Sequence, residues 1–107
     1  MKIQIGNSSY EISNAERVVL DECLIVITWK DNELVLNIDE TSCFINLRER
    51  HNDWECEVID HIAELVADDF FALLEQEFQE DRTINFEETT RDLLSFYLPE
   101  ERRFVEN

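Results

Sequence analysis

A chain of 107 residues can bury roughly two-thirds of the surface its unfolded form exposes, so it needs neither disulfides nor a metal to fold. Its 26 acidic and 9 basic residues give a formal charge of −17, about twice the upper end of the range that suffices for solubility. That charge speaks against direct contact with nucleic acid or an anionic membrane, both of which repel it. With 44% hydrophobic residues and seven Phe, the chain is also no acidic disordered tail.

Three cysteines, Cys23, Cys43 and Cys56, are an odd number without a Cys-x-x-Cys pair. They predict buried thiols in a reducing compartment, with neither a disulfide framework nor a zinc site. The first six residues hold no apolar signal core, and the longest apolar run, Cys23 to Trp29, is too short to span a bilayer. The expectation is a cytoplasmic protein, in the host cytoplasm if phage-encoded, and one α+β domain over residues 1–107.

Residues 2–5 and 10–13 alternate as a hairpin around Gly6-Asn7-Ser8-Ser9, a register that pairs Ile5 with Tyr10 and Ile3 with Ile12. Residues 14–22 stay open: Asn14 suits the cap of a short helical turn, whereas Val18-Val19-Leu20 suits a strand. A two-residue turn at Asp31-Asn32 then stacks Trp29 on Leu34, Ile27 on Leu36 and Ile25 on Ile38. Carried through Glu40-Thr41, the same alternation predicts a third strand with Cys43 opposite Ile38, Ile45 opposite Leu36 and Leu47 opposite Leu34.

The stretch from Asn52 to Asp81 has a different character, with eleven Asp and Glu and no Lys or Arg. It reads as one long amphipathic helix, with Asn52 as cap and Glu55 at the capping-box spacing. At about 100° per residue, Trp54, Val58, Ile59, Ile62, Leu65, Val66 and Leu73 share the apolar arc. Asp69 intrudes on that arc, which predicts a bend or a restart at Asp68 or Asp69. On the opposite side Glu57, Asp60, Glu64, Asp68 and Glu75 form a row about 27 Å long, with Phe71 filling the remaining place. Like charges at these spacings cost a helix a few tenths of a kcal/mol per pair, and no lysine relieves them.

Arg82-Thr83-Ile84 leads to a second helix with Asn85 as cap, Glu88 three residues on, and Phe86, Leu93, Leu94, Tyr97 and Leu98 as its apolar stripe. Pro99 ends it or begins a last turn. The tail to Asn107 carries Arg102 and Arg103, which suit a solvated segment or partial neutralisation of the acidic surface. The fold expected is an antiparallel sheet of four to five strands with two C-terminal helices packed on one face.

Catalytic residues are not in evidence. His51 and His61 have no nucleophile at a recognisable spacing, there is no phosphate loop, and the EF-hand pattern is absent. Glu57, His61 and Glu64 share a helix face, but their Glu-x-x-x-His spacing departs from the Glu-x-x-His of di-metal sites. The reading is of a protein that is not an enzyme and needs no cofactor or metal.

The acidic row points to a protein partner instead, with Glu57, Asp60, Glu64, Asp68, Phe71 and Glu75 as contacts. An aromatic rimmed by charges suits an interface anchor; Phe71 and Phe78 equally suit packing on the second helix or across a homodimer contact. The expected function is an inhibitor that sits on the basic, nucleic-acid-binding surface of another protein, as a phage-encoded anti-CRISPR or anti-restriction protein does. An immunity protein or antitoxin against a basic toxin, or an acidic adaptor of a larger assembly, has the same electrostatics.

Overall fold

The computed structural model describes residues 1–50, 56–77 and 80–98. His51, the Asn52 cap with Glu55, Trp54, Phe78, Pro99 and the Arg102-Arg103 pair lie outside them. In chain order the elements are β1 (Lys2–Ile5), β2 (Ser8–Glu11), β3 (Arg17–Asp21), β4 (Leu24–Thr28), β5 (Glu33–Asn37), a 3₁₀ turn (Ile38–Glu40), α1 (Ser42–Arg50), α2 (Cys56–Glu77), β6 (Thr83–Asn85) and α3 (Phe86–Ser95). The class is α+β, with three α-helices among the described residues. Among the described residues the strands form two sheets of three, ordered β2-β1-β6 and β3-β4-β5, in place of one sheet of four to five strands.

Both expected hairpins form, each slipped by two residues. The first closes on Gly6-Asn7 alone, pairing Ile3 with Tyr10 and Ile5 with Ser8. Gly6 sits at φ 59°, which glycine adopts without penalty. The second hairpin pairs Ile25 with Leu36, Ile27 with Leu34 and Thr28 with Glu33, leaving a four-residue loop in which the Trp29 amide donates to the Asn32 carbonyl at 2.9 Å. A tight turn at Asp31-Asn32 of the most favoured kind needs positive φ at both residues, and neither adopts it. Because a slip of two keeps every side chain on its face, Ile25, Ile27, Leu34 and Leu36 still point inward together.

Residues 17–21 resolve as a strand. β3 pairs with β4, matching Leu20 with Ile25 and Val18 with Ile27, through a tight turn at Glu22-Cys23. Glu22 takes φ 55° there, a left-handed conformation that disfavours a side chain by about 1–2 kcal/mol.

The third strand expected over residues 43–47 is helix α1. Its buried residues Cys43, Phe44 and Leu47 follow an i, i+1, i+4 pattern, while Ile45, which an inward-facing strand position would bury, is exposed. The turn before it ends with the Thr41 hydroxyl donating to the Ile38 carbonyl at 2.7 Å. Glu87 on α3 then accepts from the Ser42 amide at 3.0 Å and from its hydroxyl at 2.8 Å, satisfying a helix N-terminus from a distant part of the chain.

Helix α2 is unbroken over 22 residues, with no restart at Asp68 or Asp69. Its buried face consists of Ile59, Ile62, Ala63, Val66, Ala67, Phe70 and Leu74. That face is turned about 90° from the expected arc at 100° per residue, and Val58, placed within that arc, is 44% exposed. The rotation brings in Ala63, Ala67, Phe70 and Leu74, which the expected arc left out. Phe70 meets Phe86 edge to face with ring centroids 5.7 Å apart, joining α2 to α3.

α3 starts as expected, with the Asn85 side chain accepting from the Glu88 amide, and buries Phe86 and Leu94, with Leu98 buried beyond its end. The three residues before it add an unexpected strand, β6, parallel to β1 with Ile3 beside Ile84. One cluster of buried side chains joins both sheets to all three helices, with Phe44 and Phe70 its largest fully buried members.

Candidate functional site

The rotation of α2 changes what surrounds the acidic row. Glu57, Asp60, Glu64, Asp68 and Glu75 are all exposed, and no Lys or Arg occurs on the helix. From Glu57 to Glu75 the row covers about 27 Å. It is not without a counter-charge, however, because Arg48 of α1 reaches it from the side. The Arg48 guanidinium donates to Asp39 at 3.1 and 2.5 Å and to Asp60 at 2.6 Å, clipping the 3₁₀ turn, α1 and α2 together. Partial burial works to lower the Arg48 pKa, but its hydrogen bonds to Asp39 and Asp60 and their charges outweigh it and the net shift is upward. Asp60 is thus the carboxylate of the row that this ion pair engages.

Phe71 does not stand exposed in the row as expected. It lies at the margin of the buried face, half-buried and packed against the core. With Leu74 it lines an open cleft of about 420 Å³ whose other walls are Ala15, Glu16, Arg17, Val18 and Glu75. Asp69, expected within the apolar arc, lies at the opposite margin, where its carboxylate accepts a hydrogen bond from the Tyr97 hydroxyl. That bond, aided by burial and the charges of Asp69 and Asp68, raises the Tyr97 pKa.

Among the described residues, no three His, Cys, Asp or Glu side chains converge as a metal site, and no helix is long and apolar enough to cross a membrane. A second, larger groove of about 660 Å³ lies between the first hairpin and the β4–β5 loop, with Tyr10, Trp29 and Leu34 among its walls. Glu16 lines both openings. No protein-family model, curated protein or solved structure matches this chain.

Arg48, Glu16 and Val18 were missed in sequence because each comes from another element and reaches α2 only through the fold.

Proposed function

We propose that this protein is an inhibitor that docks its acidic helix face on the basic, nucleic-acid-binding surface of another protein and occupies the groove made for phosphates. The observation that carries this reading is the set of five exposed carboxylates on one unbroken helix that bears no Lys or Arg. Holding such a row on a rigid helix costs stability, and a solvated face gains nothing from that cost. Duplex DNA offers one charge per about 1.7 Å of axis; helix neighbours about 5–6 Å apart are sparser, and Glu88 and Asp92 add exposed carboxylates on α3.

The test is a kinetic binding assay against a basic protein captured from nuclease-treated host lysate, run at two salt concentrations with a nucleic-acid competitor. Steered association predicts an on-rate that falls steeply with ionic strength, and nucleic acid should compete. Reversing Glu64 and Asp68 to Lys should slow association. Binding unaffected by the reversals, with sheet variants abolishing it, would leave the helix as a solvated face only.

One observation favours a second reading, an immunity protein or antitoxin that neutralises a basic toxin. The Arg48 clip engages Asp60 and interrupts the row, which suits an irregular basic surface better than a groove of regular phosphate spacing. Tight, helix-dependent binding without nucleic-acid competition would select this reading.

A further inference from the structure

The cleft beside Phe71 combines three features. Its apolar lining is Phe71 and Leu74 of α2 with Ala15 and Val18. Its rim carries two exposed carboxylates from different elements, Glu16 ahead of β3 and Glu75 on α2. Its volume of about 420 Å³ falls within the range of pockets that hold small ligands, about 300–1,000 Å³. The Glu16 backbone is fixed by its amide, which donates to the Thr28 carbonyl at 2.8 Å. One of the two acidic walls is thus positioned before anything binds.

An apolar lining with an anionic rim fits a side chain that is apolar along its stem and cationic at its tip. We infer that this cleft receives one arginine side chain of the basic partner. The guanidinium lies over the Phe71 ring while its fork of donors reaches Glu16 and Glu75, a combination that the compact ammonium of lysine serves less well. Arg17 stands on the same wall, and among the described residues it makes no ion pair with either carboxylate, so both remain open to an incoming cation. Its own charge weakens the site. The inference rests on the proposed docking of the acidic face and adds where shape selection occurs: at the C-terminal half of α2, away from the Asp60 clip.

The experiment is a titration of the full, isotopically labelled chain with L-argininamide at low salt, followed by NMR. Saturable shifts confined to Val18, Phe71, Leu74 and their neighbours are expected, with argininamide binding more tightly than lysinamide. Norleucinamide, which has an apolar stem and no side-chain cation, should not bind. Glu16→Gln with Glu75→Gln should weaken argininamide by about three- to thirtyfold, the sum of two exposed ion pairs, and Arg17→Gln should tighten it. All three positions are exposed, so the variants should fold, and the unperturbed core resonances verify it. The inference is overturned if shifts spread evenly along Glu57 to Asp68, if the double variant binds unchanged, or if lysinamide or norleucinamide binds equally well. Competition between partner and nucleic acid tests the proposed function separately, and can fail while the cleft still takes argininamide.

Discussion

The Tyr97 hydroxyl donates a hydrogen bond to the Asp69 carboxylate, tying the turn after α3 to the C-terminal half of α2. A hydrogen bond to a charged group contributes about 1.5–3 kcal/mol when well buried, and partial exposure of this pair places it at the lower end. Tyr97→Phe should therefore cost about 1–2 kcal/mol in urea denaturation. The Tyr97 pKa is raised above 10.0 in the folded protein, so this contribution is present below pH 10 and declines as pH rises through the folded value. The difference between wild type and Tyr97→Phe should shrink accordingly in alkali.

The rotated face of α2 and the inward face of β5 are tested by a pair of truncations. Leu36 is fully buried opposite Ile25, and Leu36→Ala should cost about 2–5 kcal/mol. Val58→Ala, on the exposed side, should change stability by no more than about 0.5 kcal/mol. A larger loss at Val58 than at Leu36 would restore the arc that contains Val58.

Thr90 is fully buried in α3, and its hydroxyl has no hydrogen-bond partner among the described residues. Leaving such a donor unpaired costs about 1–3 kcal/mol. Thr90→Val keeps the shape and removes the hydroxyl, so it should raise stability by about 1 kcal/mol or more, seen as a higher melting temperature. A lower melting temperature would mean that the hydroxyl finds a partner in solution.

Glu11 accepts hydrogen bonds from the Ser13 hydroxyl at 2.7 Å and amide at 3.1 Å and from the Met1 amino group at 3.2 Å. These contacts, the Ser13 hydroxyl first, lower its pKa from 4.5 to about 2. Because the folded value is the depressed one, the stabilisation is complete above pH 4.5 and is lost as pH falls toward 2. Thermal melts of wild type and Glu11→Gln should differ at neutral pH and converge over that acid window.

With a formal charge of −17, mutual repulsion opposes the compact state and is screened over about 10 Å at 0.1 M salt. The melting temperature should rise as sodium chloride goes from low to moderate concentration. A fall over the same range would mean that the Arg48 and Met1 ion pairs outweigh the repulsion.

The sequence disclosed what depended on local chemistry. The Asn85 cap, the two hairpins and the inward face of Ile25, Ile27, Leu34 and Leu36 were legible because turn residues and alternation act within a few positions. Hairpin registers were not, since a slip of two preserves the same alternation and only backbone angles at Gly6 and at Asp31-Asn32 decide it. Helix α1 was misread because Cys43, Ile45 and Leu47 also fit a strand, and Glu87, which caps it, is 45 residues away from Ser42. The acidic row was legible as a periodic pattern. Its clip by Arg48 and the retreat of Phe71 into a cleft wall were not, because both depend on which way α2 faces, and the expected arc left out the buried Ala63, Ala67, Phe70 and Leu74.

The parallel pairing of β1 with β6 sets a condition on how the chain assembles. Lys2 pairs with Thr83, 81 positions later, so the first hairpin gains its third strand only after every other strand, α1 and α2 have been made. Pairings at such separation carry a closure entropy that slows folding. During synthesis, the first hairpin therefore waits with one edge open, and a two-stranded ribbon is marginal by itself in water. The last closure to form is then the one that brings β6 and α3 back to the start of the chain, and with α3 comes the Glu87 carboxylate that caps α1.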